Sequence, residues 1–101
     1  MSPATPEGEV SLNQWPRQLP AQVVAVRAPP GDEALALRLI ELGFIEGEPL
    51  RITACGQPGG DPLAVRLGGR GGAGAFALRR AEAALIWVRA AADLTWAGSA
   101  A

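Results

Sequence analysis

The stretch with the clearest chemical potential is LGGRGGAGAF, Leu67 to Phe76, which holds five of the chain's thirteen glycines. Such a segment binds phosphate when it has the form GxxxxGK[ST] and opens a helix. It binds RNA when Gly and Arg repeat on a positively charged chain. This chain has no lysine, the segment occurs once, and an alternating strand pattern follows it. We therefore expect residues 68–74 to form a long hairpin turn, with Arg70 in water.

Catalytic and metal-ligating residue types are scarce in this sequence. Histidine, lysine and tyrosine are absent, and Cys55 is the single cysteine. No nucleophile therefore has a general base at readable spacing. Glu46 and Glu48 lie two residues apart on a turn and do not supply the several convergent oxygens that a metal site needs. We expect no catalytic residues, no metal site and no cofactor, and we do not expect an enzyme.

Composition limits the choice of partner. At 101 residues, 49% of them hydrophobic, the chain has room for one globular domain. Its formal net charge of -1 provides no field that attracts a polyanion, so nucleic acid is not expected as a partner. The first twenty residues show no secretory pattern, and no apolar run is long enough to span a bilayer. We expect a cytoplasmic protein that does not insert into the membrane.

The first half of the chain contains the one helical pattern. Residues 1–17 carry three prolines and no period, which predicts an extended, flexible N-terminal arm with Trp15 as its one large apolar residue. A valine-rich strand is predicted over residues 21–28. Asp32 is expected to cap a helix that ends at Gly43. Leu35, Leu39 and Leu42 recur at helical spacing and are expected to form an apolar stripe that faces the core. Leu37 is expected to lie off this stripe.

Short strands fill the second half. A turn at Gly47, where a positive φ is needed, precedes a strand over Pro49–Cys55 whose inward residues are expected to be Leu50, Ile52 and Ala54. Further strands are predicted over 63–67, 75–78 and 85–88, with a single helical turn over 79–84. Alternation in the last strand places Trp87 on the face opposite Ile86 and Val88, and short strands this close together favour a small closed barrel.

Two runs carry a resemblance to a known family. RLIELGFIEGEPLRITACGQPGGDPLAVRL, Arg38 to Leu67, and ALRRAEAALIWV, Ala77 to Val88, are similar to the FeoA family of small cytosolic accessory proteins of ferrous-iron transport. The resemblance implies a mainly β fold with one inserted helix, a small SH3-like five-stranded barrel. It places that domain over residues 18–89, between the arm of residues 1–17 and a C-terminal tail over residues 90–101. It also implies a partner, the inner-membrane GTP-dependent ferrous iron transporter known as FeoB.

The sequence departs from the family pattern at three places. Glu46 stands where a proline usually precedes the turn glycine, and Gly47 still supplies the geometry. The hairpin over residues 68–74 is longer and richer in glycine than the family's tight turn. Trp87 occupies an outward position that is usually polar.

Four residues are candidates for contact with a partner: Leu37, Leu39, Asp61 and Trp87. Each has a structural alternative, since Leu39 lies on the core stripe, Asp61 could stabilise its own turn, and Trp87 could be covered by Trp15 or Trp96. The predicted function is that of a non-enzymatic adaptor. The protein is expected to be a monomer or weak homo-oligomer and to reach the membrane surface through its partner. The alternative is an SH3-like regulatory module that acts on an iron-dependent repressor or on nucleic acid.

Overall fold

The computed structural model describes residues 8–56, 61–68 and 74–91. The strands are β1 (Val10–Ser11), β2 (Ala21–Val26), β3 (Pro49–Cys55), β4 (Leu63–Leu67), β5 (Gly74–Leu78) and β6 (Ile86–Ala90). The helices are α1 (Glu33–Leu42) and the short α2 (Arg80–Ala83), and a 3-10 turn follows β1 at Leu12–Gln14. The predicted helix and strands are therefore confirmed with boundaries that differ by a few residues.

The strands form one antiparallel sheet in the order β1-β6-β2-β3-β4-β5. This corrects the predicted five-stranded closed barrel, because β1 and β5 are the two edges of a six-stranded sheet that is not closed. A side chain links the elements that follow the two edges: Arg80 Nη2 donates to the carbonyl oxygen of Asn13 at 2.7 Å. Asn13 follows β1 and Arg80 follows β5.

The N-terminal segment belongs to the fold from Val10 onward, whereas an arm over residues 1–17 and a domain start at residue 18 were predicted. Val10 and Ser11 pair with Val88 and Trp87 of β6. Trp15 is 4% exposed, and its indole Nε1 donates to the carbonyl of Leu19 at 2.8 Å. An apolar side chain inside a polar, proline-rich segment gives no periodic signal, and burial here depends on contacts distant in sequence.

Helix α1 ends at a glycine, as predicted. Gly43 has a φ of +121°, and its N–H and that of Phe44 donate to the carbonyls of Ile40 and Leu39 at 3.0 and 3.1 Å. This hydrogen-bond pair is the Schellman arrangement, in which the residue after the glycine packs against the last turn. Phe44 is accordingly 1% exposed.

The start of α1 differs from the prediction. Asp32 occupies the cap position but makes no side-chain capping bond. Glu33 Oε1 accepts instead from the N–H of Gly31 at 3.0 Å.

A bulge in β3 changes which of its residues face the core. Ile52 pairs with Val65 and Ala54 with Ala64, so Thr53 is an extra residue on its strand. Leu50 and Ile52 are buried as predicted, whereas Ala54 is exposed. A bulge reverses the alternation beyond it because two residues on one strand oppose one on the other.

The core lies inside the curled sheet under α1. Its buried apolar residues are Leu12, Trp15, Ala21, Val23, Leu39, Phe44, Leu50, Ile52, Leu63, Val65, Leu67, Leu78, Ala83, Leu85, Ile86 and Val88. Phe44 also contacts Phe76 of β5, with ring centroids 5.9 Å apart. The helix and the edge strand β5 thus share one apolar contact region.

Several predictions concern segments outside the described residues. Residues 69–73 of the glycine-rich hairpin, including Arg70, are among them, as are residues 57–60, the tail from residue 92, and Trp96. Leu67 and Gly74, which flank the hairpin, are partners in the antiparallel β4–β5 ladder. In the part of the chain that is described, no helix has the length and apolar character needed to cross a membrane.

Candidate partner-binding surface

Four large apolar side chains remain exposed among the described residues, and all lie on α1 or the turn after it. Leu37 is 57% exposed, Ile40 41%, Leu42 36% and Ile45 49%. We call these four residues the apolar patch. Leu37 and Ile40, three residues apart, are neighbours on the outer side of α1, whereas Leu42 lies toward the side of Leu35 and Leu39. Exposed apolar residues this close together in a small domain are typical of interaction sites, whereas widely scattered ones are ordinary.

The patch exists because α1 packs through a narrow stripe. Leu39 is its one fully buried side chain, at 1% exposure, and Leu35 is partly buried beside it. Leu37 was predicted to lie off the core stripe, and its exposure confirms that position. Leu42 was expected in the core but is 36% exposed at the last residue of α1, whereas Phe44, just beyond the turn at Gly43, is 1% exposed.

Leu39 is 1% exposed, so its side chain adds almost nothing to an exposed contact surface. Sequence reasoning placed it both on the core stripe and among the candidate contact residues, and the structure supports the first assignment. Ile40, Leu42 and Ile45 were not predicted as contact residues. The available signal was the excess of aliphatic residues around Gly43 over what one helical stripe can bury.

A groove runs between α1 and the edge strand β5. Its volume is about 160 Å³, and Leu35, Leu39 and Leu42 line one wall while Phe76 and Leu78 line the other. Arg38 and Glu82 add charge to its lining. The groove adjoins the apolar patch through Leu42, which belongs to both.

Asp61 binds to backbone outside its own loop. Its Oδ1 accepts from the N–H of Arg80 at 3.0 Å, the first residue of α2. Glu82 Oε1 accepts from the N–H of Arg79 at 2.8 Å, so two carboxylates satisfy the free N–H groups at the start of α2. If Asp61 had no partner to bind, it was expected to stabilise its own turn. The hydrogen bond observed instead joins the loop of Asp61 to the start of α2.

Trp87 is half-buried on the outer face of β6, opposite Ile86 and Val88, as predicted. The guanidinium of Arg27 lies over its ring, 5.2 Å from the centroid. Arg27 also forms an ion pair with Glu9 at 3.0 Å. Trp15, one of the two residues expected to cover Trp87, lies in the core. Leu37 therefore joins other apolar residues, whereas Asp61 and Trp87 are engaged with neighbours of their own.

The described residues contain no group of three or more His, Cys, Asp or Glu side chains placed to hold a metal ion. Cys55 is a free, partly buried thiol at the end of β3. Glu46 is exposed, in the turn that Gly47 completes with a φ of +88°.

Comparison with known proteins decides the family. The FeoA domain model matches residues 10–90, which begins at β1 and ends with β6. The chain belongs to the FeoA family. The match includes the N-terminal strand and Trp15, in agreement with their place in the sheet and core of this FeoA chain. A search of curated proteins gave no match.

Solved FeoA structures share the fold. FeoA from Stenotrophomonas maltophilia is 39% identical, with a TM-score of 0.67 over 78% of this chain and 88% of that one. That protein was solved with zinc and is described as a prokaryotic SH3 domain protein and a candidate activating factor for ferrous iron transport. FeoA from Chlorobium tepidum is 31% identical, with a TM-score of 0.65 over 82% and 71% of the two chains.

A FeoA-like protein from Clostridium acetobutylicum is 26% identical and has a TM-score of 0.66 over 84% and 90% of the two chains. The recognition of the family from sequence is confirmed. The fold expectation is confirmed as mainly β with one main helix, similar to proteins described as SH3 domains, while the closed five-stranded form is not observed.

Proposed function

We propose that this FeoA-family chain is a non-enzymatic accessory protein of bacterial ferrous-iron uptake. In this proposal it binds the cytosolic side of a FeoB-type GTP-dependent Fe(II) transporter and promotes transport. It is cytoplasmic and reaches the membrane through that partner. Family membership supports the link to iron transport, and the apolar patch supports a role in protein binding.

The apolar patch is the observation that carries this proposal. Its four side chains would be covered by a partner, and burial of apolar surface is the main favourable term in association. Fully burying a leucine is worth about 1.5–3 kcal/mol, so covering the 57% of Leu37 that is exposed is worth about 1–1.7 kcal/mol. Replacing this side chain should therefore weaken binding without disturbing the core.

The alternative function is a regulatory module that acts on a repressor or on nucleic acid. The net charge of the chain does not favour binding to nucleic acid. The formal net charge is -1. Phosphate contacts dominate the affinity of nucleic-acid-binding proteins and need clustered cations. Asp61 and Trp87 remain secondary candidates for the transporter interface, at its rim rather than its centre.

The test is direct binding of the purified chain to a detergent-solubilised FeoB-type transporter, measured by biolayer interferometry. Leu37→Ala is expected to weaken binding about 5- to 20-fold, the equivalent of about 1–1.7 kcal/mol. Leu37→Glu should weaken it further, because a carboxylate would be desolvated against an apolar partner.

The control is Gln14→Ala, an exposed residue on the 3-10 turn, which should bind as the parent does. All variants should unfold at the parent's temperature, since neither side chain is in the core. Equal binding by Leu37→Glu and the parent would exclude the patch as the contact surface. Capture of duplex nucleic acid by the parent, lost at high salt, would favour the regulatory alternative.

A further inference from the structure

The outer edge of β5 lacks the features that usually protect an edge strand. Its five residues, Gly74–Leu78, include no charge and no proline. Its ladder with β4 runs without a bulge, unlike the pairings of β2 with β6 and of β3 with β4. Edge strands are normally shortened, bulged or charged because their open backbone groups pair with other chains. The opposite edge, β1, is only two residues long.

The hydrogen-bond pattern identifies the open groups on β5. The N–H of Gly68 donates to the carbonyl of Pro49 at 2.9 Å, so Pro49 and Gly68 are joined across β3 and β4. In an antiparallel ladder the next pair, Leu50 and Leu67, is then one whose backbone groups do not bond to each other. The backbone groups of Leu67 therefore point toward β5 and bond to Gly74, its partner.

Alternation along β5 then directs the N–H and C=O of Phe76 toward β4 as well, and those of Ala75 and Ala77 outward. No described residue takes up these four outward groups.

Two exposed arginines border this edge. Arg66 is the cross-strand partner of Ala75, and Arg79 follows Ala77 on the same face by alternation. Both side chains are exposed, and within the described residues neither guanidinium forms an ion pair. Asp61, which lines a depression with Ala77 and Arg79, accepts the N–H of Arg80 and keeps its negative charge. Two arginines beside one carboxylate leave an excess of positive charge on the outer face beside β5, on a chain of net charge -1.

The other face of β5 adjoins the groove against α1. Phe76 and Leu78 point toward that side, where Leu35 and Leu42 complete an apolar lining. A strand added beside β5 would place successive side chains on alternate faces. Residues opposite Ala75 and Ala77 would lie beside the arginines, and the residue opposite Phe76 would lie beside the groove.

We propose that the β5 edge binds an extended segment of a partner protein by strand addition, and that the segment has the pattern acidic-apolar-acidic. Main-chain hydrogen bonds to Ala75 and Ala77 would supply affinity, while Arg66, Arg79 and the groove would select the side chains. The inference rests on the proposed function, in that the segment is expected to belong to the transporter. It predicts a property of this chain that is measurable without the transporter.

The experiment uses a fluorescein-labelled seven-residue peptide in which glutamate alternates with valine and leucine. Binding is followed by the fluorescence anisotropy of a low, fixed peptide concentration as the full chain is added up to about 1 mM, which detects complexes of about -4 kcal/mol or tighter. One comparison peptide has lysine in place of each glutamate. A second keeps the glutamates but carries N-methyl groups on the amides that would donate to β5.

The glutamate peptide is expected to bind, the two comparison peptides to bind at least tenfold more weakly, and the amide NMR signals of Ala75 and Ala77 to shift. Arg66→Glu combined with Arg79→Glu should weaken binding about tenfold, since two favourable surface pairs become repulsive. Arg89→Glu is the matched control, an exposed strand arginine on β6, with three strands between β6 and β5 in the sheet order. Its affinity should equal the parent's.

Equal binding of the lysine or N-methylated peptide, or amide shifts confined to residues outside β5, would overturn the proposal. Sedimentation equilibrium adds a further check, because a dimer of this chain that excludes the peptide would assign the edge to self-association instead. Loss of peptide binding alone, with Leu37-dependent transporter capture intact, would remove this inference and leave the proposed function standing. Peptide binding without transporter capture would remove the proposed function and leave the strand-binding property of the β5 edge standing.

Discussion

Replacement of Trp15 tests whether the N-terminal segment is part of the folded domain. The side chain is 4% exposed, and its indole N–H donates to the Leu19 carbonyl at 2.8 Å. Truncation of a buried tryptophan to alanine costs about 3–5 kcal/mol through lost burial and the cavity left behind. A domain of this size has about 5–15 kcal/mol of stability in total, so Trp15→Ala should remove a large share of it.

A second variant separates the hydrogen bond from the packing. Trp15→Phe keeps an aromatic ring but loses the donor to Leu19, a bond worth about 0.5–1.5 kcal/mol. We expect a cost of about 1–2 kcal/mol, between the parent and Trp15→Ala. Trp87→Phe is the control for removing an indole, because Trp87 is half-buried and its ring can still lie under Arg27. It should cost less than about 1 kcal/mol.

The assay is equilibrium unfolding in urea followed by far-ultraviolet circular dichroism, which does not depend on tryptophan fluorescence. With an m-value of about 1–2 kcal/mol per molar, a loss of about 4 kcal/mol lowers the urea midpoint by about 2–4 M. If Trp15→Ala unfolds within about 0.5 M of the parent, the N-terminal segment is a mobile arm and its place in the core is wrong.

Two further substitutions test local geometry. Gly43→Ala should lower the free energy of unfolding in urea by about 2–3 kcal/mol, because φ is +121° and the new Cβ would lie 3.1 Å from Leu67 Cδ1. Gly47→Ala, at a φ of +88° with open space around the new Cβ, should lower it by about 1–2 kcal/mol. A larger loss for Gly47→Ala than for Gly43→Ala would contradict this prediction. Asp61→Ala should lower the free energy of unfolding by about 1 kcal/mol and speed hydrogen exchange at the Arg80 amide. Asp61→Asn should preserve most of the stability and most of the exchange protection. Unchanged exchange at Arg80 in Asp61→Ala would show that the carboxylate does not cap α2.

Local sequence rules were sufficient for most elements. The helix from Glu33 to its end at Gly43, and the strand Pro49–Cys55, follow from periodicity and from one glycine at each turn. The family resemblance was equally readable, since it depends on an ordered set of such elements. The outward positions of Leu37 and Trp87 were predictable because alternation and helical projection are properties of a single element.

Other features were decided by contacts between distant parts of the chain. Burial of Trp15 depends on core residues far along the sequence, and pairing of Val10 with Val88 spans most of the chain. The bulge at Thr53 reversed the predicted orientation of Ala54, because register depends on the partner strand. The open edge was also a tertiary outcome, because it depends on which strands pair across the whole sheet.

The candidate surfaces divide in the same way. Sequence by itself showed that histidine, lysine and tyrosine are absent from the chain and that the helix carries more aliphatic residues than one stripe buries. Only the tertiary structure decided which of them stay exposed, because burial depends on the neighbours that each side chain meets: Leu39 is 1% exposed and Leu42 36%. It also decided that Ala75 and Ala77 form an open edge between Arg66 and Arg79, since an edge is defined by the strand order of the whole sheet.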